Sequence, residues 1–317
     1  MLDALPRAAF SALAASGFVK RLASRYGMRR PDSFARRFIA GETVAEAVAA
    51  ATELQQAGFK VTLDLLGESV SSIDAAAAAT SAYIETIHEM ERAGISRYIS
   101  VKLTQLGLDI DPATATDNLR RLLDAGAEKE FFVRVDMENS PYTEQTFEIF
   151  DTLWNIGYRN VGVVIQSYLR RSADDVRRVI VQGATMRLVK GAYREPRDVA
   201  FQRKPEVDAA FVDVMKMMLA DGLSPAIATH DPVMIDATKA YAAERGVAPE
   251  AYEFQMLYGV RRDLQAGLLA EGYQVRVYVP FGREWFPYFM RRLGERPANV
   301  GFVLKNMIGE RRAKLRA

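Results

Sequence analysis

Apolar residues recur along this chain in short runs rich in Val, Ile, Tyr and Phe, separated by longer stretches with a helical period. Eight runs read as strands: FKVTLDLLGE (59–68), YISVKLTQLG (98–107), FFVRVDME (131–138), NVGVVIQSYL (160–169), MRLVKGAY (186–193), PAIATHD (225–231), YEFQMLYG (252–259) and YQVRVYVPFG (273–282). The stretches between them, such as SSIDAAAAATSAYIETIHEMERAG and PEVDAAFVDVMKMMLADG, space their apolar residues as helices do. Several close on Gly, the residue that best fits a helix C-terminus. Strands alternating with helices predict a parallel sheet, because parallel neighbours need crossover connections. Eight is the number that closes a (β/α)8 barrel, with an open doubly wound sheet as the alternative. A barrel takes about 250 residues. The surplus of the 317-residue chain falls mainly in residues 1–55, whose pattern is helical, ahead of a barrel over 56–317.

Composition narrows the function. About half the residues are apolar, enough for a large core. A net charge of +2 argues against nucleic acid as a partner. There is no cysteine and only two histidines, His88 and His230, which excludes thiolate and multi-histidine metal sites; no metal is expected. No apolar run reaches the ~18 residues that span a membrane, and the first residues lack the basic start of a signal peptide, so a cytoplasmic protein is expected. The C-terminal stretch NVGFVLKNMIGERRAKLRA (299–317) joins apolar residues to a basic end. It reads as a solvated helix end or, functionally, as a weak peripheral contact with the inner face of the cell membrane.

Barrel enzymes keep their chemistry at the C-terminal ends of the strands. Polar candidates gather there: Glu68 after the first run, Lys102 in the second, Asp136 in the third, Gln166 in the fourth, Arg187 and Lys190 in the fifth, His230 in the sixth and Tyr278 in the eighth. Each alone has a plain structural reading, as a solvated lysine, a loop cap or a satisfied amide. Charge in an apolar strand is costly unless paired, so this many on separate strands point to a shared pocket. Lys102, Arg187, Lys190, Arg291 and Arg292 outnumber Glu68 and Asp136. Such a pocket calls for an anionic ligand: a carboxylate, phosphates or a reduced flavin. No G-x-G-x-x-G or P-loop follows any strand, so a dinucleotide would lie on the barrel rim, near KGA (190–192).

One stretch carries a family resemblance. YVPFGREWFPYFMRRLGER (278–296) follows a strand with Gly282, four aromatics within five residues, and Arg291 beside Arg292. With VKL (101–103), VIQSY (164–168), RLVKGAY (187–193) and ATHD (228–231) in order before it, the chain resembles the bacterial proline dehydrogenases, their short monofunctional branch in particular. It is similar also to the proline dehydrogenase domain of the bifunctional proline-utilisation flavoproteins. The resemblance implies an FAD-containing barrel that oxidises L-proline to Δ1-pyrroline-5-carboxylate and passes electrons to a membrane quinone. It matches Lys102, Arg291 and Arg292 to the groups that bind the proline carboxylate, and Tyr278, Tyr193, Ala192 and Leu257 to those that wall the ring. Arg187 matches an arginine beside the flavin N5, and Asp136 an active-site aspartate. Met137, Gln166, Lys190, Gly191, Ala192, Thr229 and His230 match flavin or phosphate contacts. Glu68 matches a glutamate that pairs with Arg291 as a gate. The aromatics are expected to seat a final helix over the barrel mouth, with Pro287 in its first turn. A Schiff-base aldolase using Lys190, or a non-catalytic binding barrel, are the alternatives from other classes.

Overall fold

The computed structural model describes Met28 and residues 33–294. Eight parallel strands close on themselves in sequence order: β1 (Lys60–Leu65), β2 (Tyr98–Val101), β3 (Phe132–Val135), β4 (Val161–Gln166), β5 (Thr185–Val189), β6 (Leu223–Ala228), β7 (Glu253–Leu257) and β8 (Gln274–Phe281). The seam is the longest pairing, from Lys60 opposite Arg276 to Leu65 opposite Phe281. This is the (β/α)8 barrel, and the open sheet is excluded. Each strand lies within or close to its expected run, but most stop earlier. Thus Lys102, Asp136, Lys190 and His230, expected inside strands, stand just beyond their ends.

The described helices are α1 (Val44–Gln56), α2 (Ile73–Arg92), α3 (Pro112–Ala127), α4 (Thr143–Asn155), α5 (Ser172–Gln182), α6 (Lys204–Asp221), α7 (Pro232–Arg245), α8 (Arg262–Ala270) and α9 (Trp285–Gly294). Their ends follow local chemistry. Ser72, Asp111 and Asp231 accept backbone N–H bonds as N-caps, the last two followed by Pro at the first helical position. Thr43 and Glu46 form a reciprocal capping box on α1. Arg36 adds an ion pair at 2.6 Å, and these bonds outweigh burial to hold the Glu46 carboxyl down at about 2. The expected boundary at residue 55 falls inside α1, whose Ala47 and Ala51 belong to the main core.

Of three apolar clusters among the described residues, two are large, the third being a small one around Tyr168, Leu169 and Ala200. The larger lies between strands and outer helices, where residues such as Leu63, Ile99, Val133, Phe147, Phe150 and Phe254 are fully buried. Each such side chain contributes about 1.5–3 kcal/mol. The second is separate and sits at the C-terminal end of the barrel. Trp285, Phe286, Tyr288 and Phe289 of α9 pack there against Leu66 and against Met28, Ala35, Phe38 and Ile39. The chain before α1 is laced to the strand ends. Ala40 N–H donates to Pro280 O at 2.9 Å, Gly282 N–H to Gly41 O at 2.9 Å, and Trp285 Nε1–H to Glu42 Oε1 at 3.0 Å. Gly259 must be glycine: its φ is +71°, and a Cβ there would lie 1.6 Å from Arg37 O. The aromatics thus seat α9 as expected, with Pro287 in its first turn, but largely upon the N-terminal segment. Among the described residues no helix is long and apolar enough to cross a membrane. The 299–317 stretch and most of the N-terminal helical segment lie outside the described residues.

Trp285→Ala should remove about 3–5 kcal/mol from the second cluster while leaving the main core intact. Limited proteolysis is expected to cut within 283–294 well below the temperature of global unfolding. Cleavage that tracks global unfolding would show that α9 is part of the barrel's own cooperative unit.

Candidate active site

Successive residues of a strand face opposite sides of the sheet. In β1, Val61 and Leu63 face the helices, so Thr62 and Asp64 face the barrel axis. Contacts between strands that are not neighbours confirm which side chains point inward. Arg187 of β5 donates from Nη2 to Ser100 Oγ of β2 at 2.9 Å, from Nη1 to Asp136 Oδ1 after β3 at 2.5 Å, and from Nε to Gln255 Oε1 of β7 at 2.5 Å. Tyr278 of β8 donates its phenol to the other oxygen of Asp136 at 2.7 Å. The Arg187 guanidinium lies 5.3 Å from the Tyr278 ring centroid. Asp136 therefore clamps both groups that the sequence placed on separate strands.

Lys102 stands beside this clamp. Its Nζ is 3.2 Å from Asp64 Oδ1 and 4.0 Å from Asp136 Oδ2. Burial works against the ammonium, but Asp64 and Asp136 outweigh it and hold Lys102 above the ordinary lysine range. Burial pushes the Asp64 carboxyl up, with Lys102 opposing it. Burial, helped by Asp136, raises the Tyr278 phenol well above its usual value, so it stays a donor. Tyr193 is pushed up to about 12 by burial against the pull of Lys102.

Over the mouth, Arg291 of α9 donates to Glu68 Oε1 at 2.9 Å, and both side chains are about a third exposed. Tyr193 lies within the electrostatic reach of both Lys102 and Arg291. The Arg292 guanidinium covers the Tyr288 ring one turn back, 5.1 Å from its centroid.

The β4–β6 side is built differently. Gln166 is buried; its Nε2 donates to Met137 O at 3.0 Å and Glu138 O at 2.6 Å. Its Oε1 is a buried acceptor with no hydrogen-bond partner in the structure, and Ser167 Oγ is in the same state. His230 Nε2 accepts from Leu257 N–H at 2.9 Å, so in the neutral ring Nδ1 carries the proton. Thr229 Oγ1 accepts from Asp231 N–H at 3.1 Å. Lys190 is ion-paired to Asp208 at 2.5 Å and Asp231 at 2.7 Å. Gly191 has φ +116°, and a Cβ would meet the Tyr168 ring at 2.3 Å. Ala192 beyond it is exposed.

Several members were not singled out in the sequence: Asp64, Ser100, Gln255 and Glu138. Glu138 is buried, with its pKa raised by that burial, and accepts from Thr104 N–H at 3.1 Å and Thr104 Oγ1–H at 2.6 Å. These acids, with Asp208 and Asp231, correct the expected excess of cations. With Glu68 and Asp136 the carboxyl groups number six against the five cations before any ligand enters. The missing signal was period two: Thr62 and Asp64, Ser100 and Lys102, Arg134 and Asp136, Arg276 and Tyr278 all alternate with apolar residues.

A (β/α)8 barrel that gathers charged side chains from its strand ends and a covering helix at the C-terminal face of the strands has the layout of a barrel enzyme's active site. Known proteins make the class specific. The proline dehydrogenase family model matches residues 47–305. Proline dehydrogenase 2 of Bacillus subtilis is 39% identical over 298 residues, covering 94% of this chain and 97% of that one. The proline dehydrogenase of Deinococcus radiodurans is 38% identical over 312 residues, 97% of this chain and 99% of that one. Among solved structures, proline utilization A from Bdellovibrio bacteriovorus, inactivated by N-propargylglycine, superposes with a TM-score of 0.76 at 29% identity. That match covers 82% of this chain and 32% of the other. The chain belongs to the proline dehydrogenase family, and is an oxidoreductase of that family.

Lys190 predicts an acid response. Burial works to raise Asp208 and Asp231, but their bonds to Lys190 outweigh it and hold both below the usual aspartate value. Depressed carboxyls give stability that is complete above their unfolded pKa of ~3.9 and is lost as pH falls through the lower folded values. Lys190→Met should therefore lower Tm near neutral pH and flatten its decline below pH 4. A parallel decline in both proteins would show that the ion pairs do not contribute.

Proposed function

We propose that this chain oxidises L-proline to Δ1-pyrroline-5-carboxylate, with FAD as cofactor and a quinone as the final electron acceptor. The observation that carries the reading is Lys102: a buried ammonium at the barrel mouth, beneath a helix bearing Arg291 and Arg292. Together these three are suited to a planar carboxylate, two as forks and one as a point charge. Tyr278, Tyr193, Ala192 and Leu257 wall the ring of the bound amino acid. Fixing the carboxylate end sets the proline C5 for transfer, and such positioning removes several kcal/mol of barrier.

The β4–β6 side fits a flavin. Gln166 Oε1 and Ser167 Oγ are buried polar atoms in want of partners, and an isoalloxazine ring offers an N–H donor at one edge. Met137, Gln166, Lys190, Gly191, Ala192, Thr229 and His230 would hold the cofactor. When bound, the flavin supplies the hydride acceptor. Arg187 places a fixed positive charge there, preorganised by three bonds to the protein. Asp136 keeps Arg187 and Tyr278 in register. With water excluded by α9, the proline amine is favoured in its neutral form, which can release hydride from C5. The aldolase reading loses ground because Lys190 lies between two carboxylates, where its ammonium is not a nucleophile. A peripheral membrane contact through 299–317 stays with the proposal of a quinone acceptor.

The first test is the visible spectrum: a yellow protein that bleaches on anaerobic addition of L-proline. Arg291→Met and Arg292→Met should each raise the proline KM at least tenfold while flavin stays bound. The charge-assisted bond lost is worth about 1.5–3 kcal/mol. An unchanged KM in both variants sinks the carboxylate role. Glu68 and Arg291 form a gate over the substrate, an exposed pair coupled by about 1 kcal/mol. A double-mutant cycle on proline Kd with Glu68→Ala and Arg291→Met measures that coupling. Strict additivity would remove the gate.

A further inference from the structure

Barrel interiors are usually filled by layers of branched aliphatic side chains. Beneath Arg187 this one is polar instead. Gln255 on β7 is 2% exposed and bridges two charges. Its Oε1 accepts from Arg187 Nε at 2.5 Å, and its Nε2 donates to Glu253 Oε1 at 2.6 Å. Glu253 lies two residues earlier on the same strand, hence on the same face. Arg276 of β8 grips it with two bonds, Nε to Oε1 at 2.7 Å and Nη2 to Oε2 at 3.0 Å. Arg276 is anchored in turn by Val61 O at 2.9 Å and lies 4.1 Å from the Tyr98 ring centroid.

An amide has one acceptor end and one donor end. Between a guanidinium and a carboxylate only one orientation satisfies both neighbours, so Gln255 cannot flip without losing two charge-assisted bonds. Leucine or methionine would fill the space without either bond. Glutamate would set two carboxylates against each other. We propose that Gln255, based on the Glu253–Arg276 pair, is a positioning residue that fixes the plane of the Arg187 guanidinium and thereby the charge this arginine presents to the flavin. The inference rests on the reading of Arg187 as a flavin neighbour. Asp136 and Ser100 hold the two terminal nitrogens of Arg187; Gln255 holds Nε, which defines the roll of the group about its long axis.

The test uses flavin-loaded Arg187→Met, Gln255→Met and Gln255→Glu, each measured for flavin midpoint potential and for kcat and KM with L-proline between pH 5.5 and 8.5. Gln255→Met should lower kcat at least tenfold with KM within twofold. It should also shift flavin reduction tenfold toward the oxidised form, about 30 mV for a two-electron couple. Gln255→Glu should behave like the native protein at low pH, where its protonated carboxyl donates to Glu253 and its carbonyl accepts from Arg187. Its ratio to the native protein at the same pH should step down toward the Gln255→Met values as pH rises. Native potential and kcat in Gln255→Met, or a Gln255→Glu profile without that step, overturn the inference. Should Gln255→Met not fold, the Gln255→Glu profile decides alone. If Arg187→Met moves neither quantity, the flavin reading of Arg187 fails and this inference falls with it. If Arg187→Met moves both and the Gln255 variants neither, only the role of Gln255 is lost.

Discussion

A carboxylate enclosed in a barrel must be met by donors, because water that would otherwise solvate it is largely excluded. Asp136 is in that position, and its surroundings follow from the requirement. Arg187 takes one oxygen and Tyr278 the other, and Lys102 stands 4.0 Å away. Arg187 and Lys102 are then cations that need further partners, which Gln255, Ser100 and Asp64 supply. One partly buried carboxylate thus recruits side chains from β1, β2, β5, β7 and β8, and the barrel axis becomes a hydrogen-bonded network. Stability is left to the outer layer, where apolar helix faces cover the strands.

The architecture was readable because strand and helix differ in period. All eight runs became strands, though shorter ones. The run beginning at Tyr98 leaves the ladder after Val101, since the chain turns at once so that Leu106 N–H reaches Lys102 O and Leu103 O. Large polar residues in or just after the strands stood out against their apolar neighbours, which is why Lys102, Asp136, Arg187 and Tyr278 could be grouped together. Asp64, Ser100 and Gln255 could not. Short polar residues inside strands look like ordinary alternation until barrel closure brings distant strands together. The charge balance was missed for the same reason: Asp208 of α6 and Asp231, the cap of α7, meet Lys190 only through tertiary packing.

The helix that carries Arg291 and Arg292 owes its place to a part of the chain that precedes the barrel. Residues 35–42 supply apolar contacts, two backbone hydrogen bonds at the strand ends and the acceptor for Trp285. The first and last described segments therefore meet at the face where the strands end. Arg291 and Arg292 ride on this junction, and the groups clamped by Asp136 ride on the strands. Two frames built from different parts of the chain thus meet at the same end of the barrel.

The polar axis also separates durability from activity along this sequence. Buried ion pairs such as Asp64 with Lys102 are seldom better for folding than apolar residues of like volume, and replacing both partners together is often neutral or favourable. Drift toward a sturdier protein would thus run toward an aliphatic barrel and would erase the polar network on the way. The polar interior is thus a set of positions that folding alone would not choose.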